Sequence, residues 1–202
     1  MERLVLGGYM TELENLANAM EISVKIYHDS LRLIDDPGEA NDLEIVSRIF
    51  FAGQSILSVA ALVSKLLIPP PKRPNGCKCE LTPEQEEKYQ RIKHRCKTLK
   101  RALGIKGELP PEINSRSVRN HFEHFDTRLD DYYVNDFDKE YKQRVVAPAD
   151  FYPAHLAMRH ADYRAHTISV FGETVWLEAV RNAVWDIGGR AQKWLRENSD
   201  PE

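Results

Sequence analysis

Apolar residues return every three or four positions over long stretches of this chain, a period that gathers them on one side only if the backbone is α-helical. The broadest run lies between Asn41 and Leu67, where Ile45, Ile49, Ala52, Ile56, Val59, Val63 and Leu66 form a seam that Phe50, Leu57 and Leu67 widen. A face that wide predicts the most buried helix of the fold. Asn41 or Asp42 suits its N-cap, and Pro69-Pro70-Pro71 stops it, because Pro lacks the N–H that the next turn needs. Upstream, Leu13, Leu16, Met20, Val24, Tyr27, Leu31 and Ile34 predict a helix from Thr11 to Ile34, closed by Asp35-Asp36-Pro37-Gly38. Downstream, Thr82-Pro83-Glu84-Gln85 supplies a cap, a Pro at the first helical position and a capping-box partner. The helix that follows turns Tyr89, Ile92, Cys96, Leu99 and Leu103 inward, and Gly104 and Gly107 close it. Leu177, Val180, Val184, Ile187, Ala191 and Trp194 predict a last helix from Leu177 to Leu195, with Gly188-Gly189 marking close packing or a kink.

One region breaks the helical period. Ala165 to Phe171 is β-branched and alternating, Gly172-Glu173 turns the chain, and Thr174 to Trp176 returns. Asn135 to Pro153 is acidic and aromatic with two Pro, and reads as an irregular excursion. The expected fold is therefore mainly all-α: an antiparallel bundle of about five helices, with a small β-hairpin before the C-terminal helix. Residues 1–202 form a single expected domain, with the irregular and hairpin insertion at 135–176.

A net charge of −3 excludes a uniformly basic nucleic-acid-coating protein, so polyanion binding requires a local patch. The third helix offers one: from Thr82 to Lys106 there are eight Lys or Arg against three Glu. Lys93, Arg95, Lys97, Lys100 and Arg101 are its candidate RNA contacts. The most apolar stretch, Ile45 to Ile68, is interrupted by Arg48, Gln54, Ser55, Ser58, Ser64 and Lys65, which favours a core helix over a membrane span. MERLVLGGYM lacks the pattern of a secretory leader, and three Cys, an odd number, fit a reducing compartment. A cytoplasmic protein without a membrane association is the expectation.

The densest chemistry lies in Ser115 to Asp130, SRSVRNHFEHFDTRLD. Val118, Phe122, Phe125 and Leu129 step by four, three and four, so they form one helical stripe. Around it stand Arg116, Arg119, Asn120, His121, Glu123, His124, Asp126 and Arg128. Solvated helices favour Lys, Glu and Ala; two His, three Arg and an Asn around two Phe suit chemistry, phosphate binding or a polar subunit interface.

Arg119 to His124 spells R-N-H-F-E-H, an Arg followed directly by a polar residue, with a His five positions on. In this motif, set in an all-helical periodicity, the chain resembles the HEPN superfamily (higher eukaryotes and prokaryotes nucleotide-binding domains). The resemblance covers Thr11 to Asp131 in architecture. It implies a helical, usually dimeric protein, and in many members a metal-independent ribonuclease. On that basis Arg119, Asn120 and His124 are the expected catalytic residues, Arg116 an RNA contact, and a second copy of the chain the expected partner. The family branch that is modified by a partner nucleotidyltransferase has a Tyr two residues after the His; Asp126 stands there instead.

The residue types suit metal-free RNA cleavage on their own terms. His exchanges protons near neutrality with the 2′-OH or the leaving 5′-oxygen. Arg presents a planar fork to the charge growing on phosphate. On a continuous helix at roughly 100° per residue, however, Arg119 and His124 diverge by about 140°. Either the helix is irregular there or two copies meet across a two-fold axis. The competing expectation is a non-catalytic helical dimer that binds a partner or ligand, with Arg119 paired to Glu123 and His124 at an interface. Metal readings of His121 with His124, and of Cys77, Cys79, His94 and Cys96, are weaker: Cys77 and Cys79 are one residue apart, closer than zinc pairs prefer, and Cys96 falls on an apolar seam. No metal and no cofactor is expected.

Overall fold

The computed structural model describes residues 2–34, 43–73, 80–114, 130, 134 and 144–198. Among them are five α-helices: α1 (Arg3–Arg32), α2 (Leu43–Leu67), α3 (Pro83–Ala102), the single turn α4 (Pro111–Asn114) and α5 (Leu177–Asn198). α1 and α5 run antiparallel, since Arg3, Glu14, Glu21 and His28 of α1 bond in turn to Asn198, Gln192, Arg181 and Glu178 of α5. α2 packs on both; α3 packs against α2, and α4 against both α2 and α5. The core is where the seams meet: Met10, Leu13, Met20 and Tyr27 of α1, Ile49, Ile56 and Val63 of α2, Leu99 of α3, and Val184 and Ile187 of α5 are all buried.

Local chemistry explains the helix ends. Thr82 Oγ1 accepts from the Gln85 backbone N–H at 3.3 Å while Gln85 Oε1 accepts from the Thr82 N–H at 3.0 Å, the reciprocal capping box. α3 closes at Leu103, and Gly104 follows with φ at +65°, where only glycine is unstrained. α1 begins at Arg3, eight residues before Thr11, because Leu6 and Tyr9 extend the seam and pack against the core. α2 is long and apolar enough to cross a membrane by length and composition, and somewhat over half of that stretch is buried inside the fold. The expected caps Asn41 and Asp42 and the helix expected from Ser115 to Asp130 lie outside the described residues, Asp130 itself excepted.

The expectation of a helical bundle with one small hairpin is corrected by a four-stranded mixed sheet in the order β1-β2-β3-β4. The strands are β1 (Val145–Val146), β2 (Arg159–Asp162), β3 (Thr167–Val170) and β4 (Glu173–Trp176). The β3–β4 hairpin sits where the alternation pointed, turning through Phe171 and Gly172. β2 joins β3 antiparallel, and β1 joins β2 in parallel. β2 gives no strand signal because its sequence, RHAD, is polar where such a signal is apolar. β1 lies in the segment read as irregular, and two residues are too few to show a period.

The sheet docks through one face. Ile168 reaches α2 so closely that a Cβ built on Gly53 would fall 1.7 Å from its Cδ1. Ala161, Val170, Val146 and Val175 share that face by strand alternation and join the core. Between α1 and α5, a Cβ on Gly188 would fall 2.2 Å from the Ala17 Cβ, so this glycine serves close packing. Gly189 has nothing within 4 Å of its Cβ position. Gly188→Ala should therefore cost about 1–3 kcal/mol by overpacking, while Gly189→Ala should gain about 0.5–1 kcal/mol of helix propensity. Urea denaturation of the two variants checks this; equal effects would disprove the close contact.

Candidate functional site

α3 presents the cationic row that its sequence announced. Cys96 and Leu99 are buried and fix the inner face, so Lys93, Lys97 and Arg101, four residues apart, fall on one outer stripe and are exposed. Lys100 flanks the stripe, partly buried. Arg95 is different. Its Nη2 donates to the Lys65 carbonyl at 3.0 Å, near the end of α2, and its guanidinium lies 5.7 Å from the Tyr9 ring centroid. It thus ties α3 to α2 and α1, with the charge held over an aromatic face. A count of charges along a helix does not say which way each one turns, so the sequence alone places Arg95 with the outer row.

Arg116, Arg119, Asn120 and His124 lie outside the described residues, as do His121, Cys77 and Cys79. His94 is exposed on α3, and Cys96 is a buried free thiol. Among the described residues, no three of His, Cys, Asp and Glu are grouped to hold a metal ion.

A cleft of about 420 Å³ that sequence reasoning missed opens between α1 and α5, lined by Glu21, Lys25, His28, Asp29, Glu178 and Arg181 among others. Arg181 grips Glu21 with two hydrogen bonds, Nε to Oε1 at 2.8 Å and Nη2 to Oε2 at 2.9 Å. That hydrogen bonding holds the Arg181 pKa above its ordinary value. His28 Nε2 lies 3.1 Å from Glu178 Oε1, and Asp29 pairs with Lys25 and with Arg32. The His166 ring stands edge-on to His28 at 5.2 Å between centroids. His166 has φ of +51°, and its carbonyl accepts from the Leu177 N–H that opens α5. Every charge lining the cleft has a partner within it, so its clearest work is to lock α5 onto α1. No local motif signals this set, because its halves are separated by about 150 residues.

A second polar group gathers around β2. Tyr27 Oη and both ring nitrogens of His160 are buried without a hydrogen-bond partner among the described residues. Asp162 is buried too, but its carboxylate accepts from the N–H groups of Ala149, Arg164 and Ala165 at 2.8, 2.8 and 2.9 Å. Burial works to raise the Asp162 pKa, and those three donors with the His160 charge bring it below its usual value. Burial, and then the Asp162 charge, push the Tyr27 phenol up. Burial depresses the His160 pKa; Asp162 and the nearby Ala147 backbone oppose it without closing a well-formed bond.

No protein family, curated protein or solved structure matches the chain.

Two outcomes follow from this geometry. Arg95→Ala should lower stability by about 1 kcal/mol, the scale of one lost hydrogen bond, whereas Lys93→Ala and Lys97→Ala should leave the melting temperature unchanged. Thermal melts of the three variants check the division. His160 sits below its unfolded value of 6.5 when folded, so the unfolded chain binds the proton first. The stability this residue protects is present above pH 6.5 and is lost as pH falls through the interval down to the folded value. Unfolding free energy measured from pH 7.5 downward should decline from near pH 6.5 in wild type, before the carboxylates titrate. A His160→Gln variant should lack that decline; a variant that retains it would refute the assignment.

Proposed function

We propose that this chain is a HEPN-like protein acting as a metal-independent endoribonuclease, with Arg119 and His124 completing one site across a dimer. The single observation that carries the RNA side of this reading is the exposed row of Lys93, Lys97 and Arg101 on α3, in a protein of net charge −3. A cationic stripe of that kind raises the local concentration of a polyanion and guides it along the surface. The chain continues from α3 through α4 directly into Ser115, where the motif begins.

In the proposed mechanism His124 exchanges a proton with the 2′-OH or with the leaving 5′-oxygen. Arg119 holds the phosphate and stabilises the charge that develops on its oxygens. Asn120 orients one of the two by hydrogen bonding. The attacking 2′-oxygen forms a bond to phosphorus as the bond to the 5′-oxygen breaks, so no metal-bound nucleophile is required.

The test is cleavage of labelled RNA in EDTA. His124→Ala should reduce the rate by about 10²- to 10⁴-fold, the worth of a positioned acid or base. It should leave the melting temperature nearly unchanged, because His124 lies off the Val118-Phe122-Phe125-Leu129 seam. Arg119→Lys should fail as well, since an ammonium does not reproduce the guanidinium fork. Cleavage that persists in both variants places the site elsewhere. A wild type that cleaves no RNA leaves the chain as a non-catalytic binding dimer.

A further inference from the structure

α3 carries more positive charge than its own fold uses. The glutamates of the helix, Glu84, Glu86 and Glu87, all precede Lys88, and from Lys88 to Gly107 the chain holds no Asp or Glu. On α1 and α5 comparable cations are matched: Lys25 with Asp29, Arg181 with Glu21, Arg190 with Asp186 and Lys193 with Glu197. Among the described residues, Lys93, Lys97, Lys100 and Arg101 hold no carboxylate. The helix macrodipole favours cations in the last turn and fades beyond it. It therefore accounts for Lys100 and Arg101 but not for Lys93 and Lys97. Lys93 with Lys97, and Lys97 with Arg101, are like-charge pairs four residues apart, an arrangement that destabilises a helix. A polyanion laid along the row reverses that repulsion.

The row also has a spacing. Four residues of α-helix rise about 6 Å and turn about 40° beyond a full revolution. Lys93, Lys97 and Arg101 thus form a ladder that fans gently along the helix. Successive phosphates of a nucleic-acid strand are about six backbone bonds apart, as many as two amino-acid residues contain, with an extended reach of about 7 Å. The flexible lysine stems absorb the difference. A single strand can follow the fan, whereas a duplex carries its phosphates on a fixed path. No large apolar side chain of α3 is exposed, so the row lacks what a helix needs to seat itself in a lipid surface.

We propose that Lys93, Lys97 and Arg101 each take one of three successive phosphates of a single RNA strand, with Lys100 beside them. RNA as the source of the phosphates rests on the proposed function; the ladder itself rests on the unmatched charges and their spacing. Phosphate contacts position a strand without reading its bases, so the ladder anchors substrate and takes no part in bond breaking.

The experiment is fluorescence anisotropy with a labelled oligouridine of about a dozen nucleotides, titrated with the full chain between about 50 and 200 mM salt. On a single strand, log affinity falls with log salt by about 0.7 per phosphate contact. Lys97→Gln should therefore flatten the slope by about 0.7 and weaken binding about five-fold at about 100 mM salt. A triple variant, Lys93→Gln with Lys97→Gln and Arg101→Gln, should flatten the slope by about two. These residues are exposed, so both variants should melt like wild type. Lys97→Gln alone keeps the test decisive if the triple variant does not fold. Lys25→Gln, which removes a matched cation on α1, should bind as wild type does; a loss equal to that of Lys97→Gln overturns the row as the site. Unchanged affinity and slope in the triple variant overturns the ladder, as does a wild type that binds no oligouridine at low salt. Displacement by polyglutamate as effective, charge for charge, as by unlabelled oligouridine overturns phosphate as the ligand. Equal affinity for a blunt RNA duplex of the same length overturns the single strand. The readout is binding, so His124→Ala should bind as wild type does. A chain that binds through the row but never cleaves retains the ladder and loses the nuclease.

Discussion

Gly188 of α5 leaves room for Ala17 of α1, and the missing side chain sets how near the two helices come. At that separation the polar pairs above and below can close: Gln192 with Glu14 toward one end, Arg181 with Glu21 and Glu178 with His28 toward the other. A wider gap would leave the bidentate Arg181–Glu21 pair beyond hydrogen-bond reach and would open the core where Val184 and Ile187 meet Leu13 and Met20. The spacing therefore comes first, and the charges along the cleft follow from it. Packing of this kind outweighs surface pairs energetically, because half-exposed ion pairs are each worth at most about 1 kcal/mol.

The same logic carries from helices to sheet. Gly53 lets Ile168 reach the α2 backbone, which seats β3 and, through it, the strands on either side. The polar groups of the sheet that leave the core face need partners of their own. Ser169 and Thr174 find theirs in a 2.7 Å hydroxyl pair, and Asp162 in three backbone N–H groups, those of Arg164 and Ala165 in the turn that follows β2 and that of Ala149 from the segment after β1. His160 does not, and burial depresses its pKa. Among the described residues, the sheet thus carries a titratable weak point at His160, next to a well-satisfied carboxylate.

How much of this was legible in the sequence depended on whether the signal was periodic and local. The seams of α1, α2, α3 and α5 were readable because apolar residues at helical spacing share a face only on a helix, and the α3 capping box stood in four consecutive residues. The β3–β4 hairpin showed for the same reason, through alternation. β2 did not show, because His160 and Asp162 owe their burial to tertiary context that no residue type announces. The α1–α5 cleft is a product of contact between distant segments. Arg95 shows the limit from the other side: its charge was visible, but its direction toward Lys65 and Tyr9 was not. The candidate catalytic residues were found only through a short motif, and they fall outside the described residues.

That motif poses the central question, since on a continuous helix Arg119 and His124 diverge by about 140°. If they act in one site, either the helix is irregular there or they come from two copies, and in the second case each copy supplies what the other lacks. The direct measurement is subunit mixing: Arg119→Ala and His124→Ala chains are unfolded together, refolded in equal amounts and assayed for RNA cleavage. A composite site predicts that each variant alone is inactive and that the mixture regains about a quarter of wild-type activity, because half the dimers are mixed and each mixed two-fold dimer holds one intact site. A mixture as inactive as its parents would contradict the shared site.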